Sequence, residues 1–417
     1  MEQVTRSSSQ NPMIDPRVKI GPLEERAGKR YFLIKHDGTA RVFRIGEKER
    51  FLLGYMDGSN DIEHIGQLYE SKFRNRMTPA AWQQLFTLLA QKSLLASNGF
   101  QTMEKPPRPK GRFSASRTGL FAWNIKLVNP EVLLAKIEPK LRFLFSPEAI
   151  VFGTLLIVAS ELWLAVHAHK IYSELSRVGV AHWGVAAYVI PVFIVSAFIH
   201  EFSHALACQH FGGTVTDMGI VFRYLTFYPY TRLDDVMFFH SRLHRIYVFS
   251  AGMFSTLLLS APFVVLWIAG SDPYLKAASG VIIFFLSLGT LINLIPFVQL
   301  DGYWILSSIL RMPDLRQDSY IFWTSIVRRS FAKRGKRPSY SRREVAICLI
   351  YGALSAVVSL YATVAAGVRW HHLFARIAGN VYAWILVLII TGAFAAFRVK
   401  RSDTATRQGI GARVIVD

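Results

Sequence analysis

Residues 184–208 read GVAAYVIPVFIVSAFIHEFSHALAC. A helix of about 20 apolar residues is long enough to cross the ~30 Å hydrocarbon layer of a bilayer. This stretch is such a run until His200-Glu201-Phe202-Ser203-His204 interrupts it. Working outward, comparable blocks lie at roughly 148–168, 246–269, 275–296, 344–367 and 378–397. The pattern predicts an α-helical polytopic membrane protein with six transmembrane helices. Of the 417 residues, 52% are hydrophobic and 18% charged. Soluble domains carry about 25% charged residues, so the balance argues against a soluble enzyme and excludes a disordered chain.

The formal net charge of +20 would point to nucleic acid in a soluble protein. Its distribution argues for topology instead. With a cytoplasmic N-terminus, the outer loops 169–183, 270–274 and 368–376 hold four basic residues, Lys170, Arg177, Arg369 and Arg376. The inner segments 1–147, 209–245, 297–343 and 398–417 hold 43. Lys and Arg accumulate on the cytoplasmic side, so an even number of spans is expected, with both termini cytoplasmic and no nucleic-acid partner. The two cysteines, Cys208 and Cys348, lie in apolar stretches and form no CxxC motif. The polar, proline-containing first 30 residues do not read as a cleavable signal peptide.

The His200-Glu201-x-x-His204 motif carries chemistry. Histidines at i and i+4 share one helix face and can hold one metal ion. The Glu between them sits where a general base for a metal-activated water belongs. Ionisable residues within an apolar span are expensive and usually functional. The bland alternative is a pair of histidines satisfied by neighbouring helices. A catalytic zinc takes three protein ligands and leaves a fourth position for water. Asp301, in Asn293-Leu-Ile-Pro-Phe-Val-Gln-Leu-Asp301-Gly302, follows the fourth span at the same membrane depth as His200 and His204, and is the best third ligand. Alternatively, Asp301 caps a helix beginning at Tyr303. Two His and a carboxylate accept zinc and other divalent ions alike.

Other polar residues read more plainly. His240 and His244 are also i and i+4 but lack the Glu, and suit an interfacial polar cluster. Cys208 can approach the metal or act as a small packing residue near the helix end. Glu161 lies in the outer half of the first span, away from the metal, and has no assigned role. The β-branched and aromatic run from Thr214 to Tyr230 predicts strands or a re-entrant hairpin beside the site; a plain interfacial loop is the alternative. Such an edge strand can pair with an extended substrate backbone.

His200-Glu201-x-x-His204 on one span, followed by Asn293-x-x-Pro296-x-x-x-Leu300-Asp301-Gly302 on a later one, resembles the site-2 protease family of intramembrane zinc metalloproteases. The resemblance covers about residues 148–310. It implies a zinc ion (Zn2+) held by His200, His204 and Asp301, Glu201 as the base, and a substrate-positioning role for Asn293. Where members of that family often carry Ala-Gly-Pro, this chain has Ala251-Gly252-Met253.

Residues 1–28 read as a flexible basic leader and 29–98 as a small α+β winged-helix-like domain. Tyr31–Ile34 and Arg41–Ile45 flank Asp37-Gly38, a hairpin signal. Helical patterns follow near 46–56, 61–73 and 78–94, with Asn60 or Asp61 capping the second and Thr78-Pro79 starting the third. This rhythm resembles the PqqD-like peptide-binding domain, which grips leader peptides of ribosomally made, modified peptides. Residues 99–147 are expected to be a basic linker and an interfacial amphipathic helix with Leu133, Leu134, Ile137, Leu141 and Leu144 on one side. Residues 148–397 form the six-span domain and 398–417 a cytoplasmic tail.

Head and membrane region together resemble the peptide zinc metalloproteases found beside bacterial peptide-maturation and export systems. The resemblance implies an endopeptidase of a bacterial inner membrane. Its partners would be a peptide or membrane-protein substrate, the lipid bilayer and components of an export system. Two rival readings are regulated intramembrane proteolysis of a membrane-anchored regulator and a non-catalytic peptide-export accessory.

Overall fold

The computed structural model describes residues 11–26, 29–36, 42–96, 115–119, 122–178, 183–223, 226–331 and 340–378. The chain divides into two units, residues 1–105 with 314–417, and residues 106–313. The sequence reading keeps 148–397 together. In the structure, the last described span belongs with the unit that contains the head.

In the first unit, β1 (Val18–Arg26), β2 (Lys29–His36) and β3 (Val42–Ile45) form an antiparallel sheet in the order β1-β2-β3. Helices α1 (Glu47–Tyr55), α2 (Ile62–Phe73) and α3 (Pro79–Gln91) follow. Asp61 caps α2 by accepting from the His64 amide, and Thr78 caps α3 by accepting from the Ala81 amide, with Pro79 at the first helical position. Apolar residues at helical spacing then face inward. Ile34, Ile45, Leu52, Ile65, Leu85 and Leu89 form one buried cluster, and burial of each such side chain contributes about 1.5–3 kcal/mol.

Residues 18–26, read as part of a flexible leader, form β1. The preceding residues lace the head together: the Ile14 amide donates to Met56 O, the Asp15 amide to Leu94 O and the Ala96 amide to Met13 O. Long-range backbone pairing of this kind leaves no local sequence pattern. Helices α11 (Leu315–Phe331) and α12 (Arg342–Ala378) complete the first unit; Trp323 Nε1 donates to Cys348 O at 3.2 Å.

The second unit contains α4 (Glu131–Leu141), α5 (Pro147–Val178), α6 (Trp183–His210), α7 (Arg242–Leu258), α8 (Ser260–Ala269), α9 (Pro273–Asn293) and α10 (Asp301–Leu310). Four runs here are long and apolar enough to cross a bilayer, 147–177, 183–210, 242–269 and 273–293; residues 342–361 of α12 make a fifth. The expected sixth span, 378–397, lies outside the described residues. The third run is interrupted between α7 and α8, where Pro262 cannot donate to the Leu258 carbonyl.

An antiparallel sheet of order β4-β5-β6-β7 flanks these helices, with β4 (Ala115–Gly119), β5 (Ala122–Val128), β6 (Met218–Arg223) and β7 (Thr226–Thr231). The hairpin expected between Thr214 and Tyr230 is thus β6 and β7. Strands β4 and β5, however, arise within the stretch read as linker. Strand β4 pairs with β5, and β5 is held in turn by β6, almost a hundred residues on. The expected amphipathic helix is α4, but Leu134 is fully buried, and Ile137 and Leu141 pack on a core that includes Ala205, Leu206 and Val248. Only Leu133 and Leu144 of the expected apolar side are exposed. Packing against α6, rather than lipid, takes most of that face.

Candidate metal centre

The cytoplasmic-half motif expected on the second span lies in the last three turns of α6. His200 and His204, four residues apart, project from one face of that helix. Their Nε2 atoms are 3.2 Å apart. Asp301, the first residue of α10, places Oδ2 3.1 Å from His200 Nε2 and 3.2 Å from His204 Nε2. Among the described residues these three form the one group of histidine, cysteine and carboxylate side chains arranged to hold a metal ion.

The distant ring nitrogens decide what the near ones offer. His204 Nδ1 lies 2.7 Å from the Val248 carbonyl oxygen. A carbonyl can only accept, so Nδ1 carries a proton, and when the ring is neutral its lone pair is on Nε2. His200 Nδ1 lies 2.9 Å from Thr256 Oγ1. That hydroxyl spends its proton on the Gly252 carbonyl at 2.9 Å, so it receives the Nδ1–H of His200. With both rings neutral, two lone pairs and a carboxylate oxygen converge on one point, a donor set that suits a cation. Ligand atoms on a tetrahedral ion with bonds of about 2.0–2.1 Å stand roughly 3.3–3.4 Å apart. The observed triangle is close to that size, so the residues fit a divalent ion such as zinc.

Local backbone makes the convergence possible. A Cβ at Gly252 of α7 would stand 2.7 Å from His200 Nε2 and closer still to His204 Nε2; any side chain there would occupy the centre. At Gly302 a Cβ would run into the Leu294 carbonyl oxygen, so this glycine lets the chain fold back after α9 and deliver Asp301. Asn293, the last residue of α9, holds that aspartate from both sides. Its Nδ2 donates to Asp301 Oδ2 at 2.6 Å, and its Oδ1 accepts from the Asp301 amide at 3.3 Å. Its Nδ2 is also 3.4 Å from His200 Nε2.

Glu201 follows His200 on α6 and is partly buried. Its backbone carbonyl accepts from Thr231 Oγ1 at 3.1 Å, which fastens β7, the end strand of its sheet, beside the motif. The hairpin is braced in turn by Tyr230, whose hydroxyl donates to Asp217 Oδ1 at 2.9 Å.

No family model, curated protein or solved structure matches the chain. What the centre can do follows from its own chemistry.

The residues set aside by the sequence stay apart from this group. Cys208 is buried, with its sulfur toward Gly213. His244 stacks on Phe211 with ring centroids 4.3 Å apart, and His240 is exposed. Glu161 accepts a 2.7 Å hydrogen bond from Ser287. Sequence reasoning missed Thr256, Gly252 and the Val248 carbonyl. Thr256 carried a signal, a hydroxyl in an apolar span one turn beyond a glycine.

Proposed function

We propose that the protein is a membrane-embedded zinc-dependent endopeptidase. The observation that carries this reading is the convergence of His200 Nε2, His204 Nε2 and Asp301 Oδ2 within 3.2 Å of one another, with Glu201 next in the chain to a ligand. His200, His204 and Asp301 would hold a divalent ion, which when bound would supply Lewis-acid polarisation. Glu201 acts as general base, taking the proton of the attacking water and passing it to the leaving amine. Asn293 keeps Asp301 oriented. An extended peptide is needed, since a helix hides its carbonyls in its own hydrogen bonds, and β7 offers a strand edge to hold one.

The substrate class we propose is a ribosomally made peptide matured at a bacterial inner membrane, its leader held by the N-terminal domain. The three-stranded sheet with three following helices supports that domain reading. Holding the leader on the same chain raises the effective concentration of the cleavage segment at the centre.

The test uses purified full-length protein in detergent. It should bind one equivalent of zinc and cleave short peptides encoded near its gene, as read by mass spectrometry. Glu201→Gln should retain zinc and lose cleavage. Cleavage surviving in that variant would sink the mechanism; absence of stoichiometric metal would favour a non-catalytic role.

A further inference from the structure

A cavity of about 290 Å³ opens beside His200, lined also by Thr256, Gly289, Ile292, Asn293 and Leu300. That volume is at the lower end of the range for ligand pockets, about 300–1,000 Å³, and gives ample room for one side chain. Gly289 lies one turn, about 6 Å, before Asn293 along α9. The cavity thus leads from the metal ligands along α9 toward the middle of the span.

Gly289 is unusual on its helix. Its neighbours Phe285, Leu288 and Ile292 are bulky and exposed. Glycine within a helix costs stability relative to alanine, and close packing is the common reason to keep it. Among the described residues a Cβ here would meet nothing within 4 Å, so close packing with them does not require it. What the missing side chain leaves open is the cavity. The polar groups of the wall are already committed. Thr290 donates to the Leu286 carbonyl, Thr256 bridges Gly252 and His200, and Asn293 holds Asp301. A polar occupant would find few partners, so an apolar one is favoured.

We infer that this cavity is a subsite for one apolar side chain of the bound polypeptide, adjacent to the bond presented to the metal ligands, and that Gly289 sets the size accepted. The inference rests on the peptidase reading above. Its test is binding to the zinc-loaded full-length protein of two metal-chelating probes, acetohydroxamate, which needs only the ion, and L-leucine hydroxamate, which also carries an apolar side chain.

The leucine probe should bind the parent protein about tenfold or more tightly than acetohydroxamate, the discrimination one or a few methylenes give in an apolar pocket. Gly289→Leu should erase that advantage while leaving acetohydroxamate affinity and zinc content unchanged. Gly289→Ala, a smaller change with open space for its methyl, should reduce the advantage partway and serves if the leucine variant does not fold. An advantage that is absent in the parent, or undiminished in both variants, overturns the subsite. Failure of both probes and of zinc to bind the parent overturns the metal centre itself.

Discussion

Thr256 Oγ1 lies 2.9 Å from His200 Nδ1 and donates its own proton to Gly252 O. One hydroxyl on α7 therefore determines which nitrogen of a histidine on α6 faces the centre with a lone pair. Thr256→Val keeps the shape and removes the acceptor. Loss of such an outer partner costs about 10–100-fold in metal affinity, and Thr256→Ser should restore most of it. Competition with a chromophoric chelator measures the affinity; an unchanged value in the valine variant refutes the role.

Gly252→Ala places a methyl among the ligand nitrogens. We expect loss of stoichiometric metal with the helical content retained, because alanine suits a helix better than glycine. Metal analysis and circular dichroism on the same sample separate the two effects.

In the head, Asp15 accepts hydrogen bonds from the Arg17 side chain and backbone and lies 3.3 Å from His36 Nε2. The Arg17 hydrogen bond holds its carboxyl well below the usual carboxylate range. A depressed folded-state value means that the stabilisation is complete above the unfolded value of about 3.9 and is lost as pH falls through the lower folded one. Protection from hydrogen exchange at residues 13–17 and 94–96, taken relative to the intrinsic rate at each pH, should therefore fall on acidification below that range. Asp15→Asn should exchange faster at neutral pH and lose this acid dependence.

Glu138 on α4 is buried, accepts from Arg142 and sits 2.8 Å from His210 Nδ1 at the end of α6. His210 first, and then Arg142, hold its carboxyl below the ordinary value. Glu138→Ala removes hydrogen bonds to a charged group, a loss of about 1.5–3 kcal/mol. The cost should appear as faster amide exchange along residues 131–141, with metal content unaffected.

Local pattern made much of this legible. The length of the apolar runs marked the spans, Asp61 and Thr78 marked helix starts, and the i, i+4 spacing put His200 and His204 on one face. Strand β5 was legible too, since Trp123, Ile125 and Leu127 alternate with Asn124 and Lys126; its basic, proline-rich surroundings hid it. The segment before β1 left no such trace, because its partners, Met56, Leu94 and Ala96, lie far along the chain.

Residue order alone put His200 and His204 on one helix face and marked runs long and apolar enough to cross a bilayer, because helix period and apolar length are properties of a single segment. It could not settle that Asp301 meets both imidazoles, nor which protons point away from them. Those outcomes depend on Gly302 letting the chain turn back under Leu294, on Gly252 leaving room, and on Val248 and Thr256 receiving the outward N–H groups. Each is a contact between elements remote in sequence, set only when the helices pack.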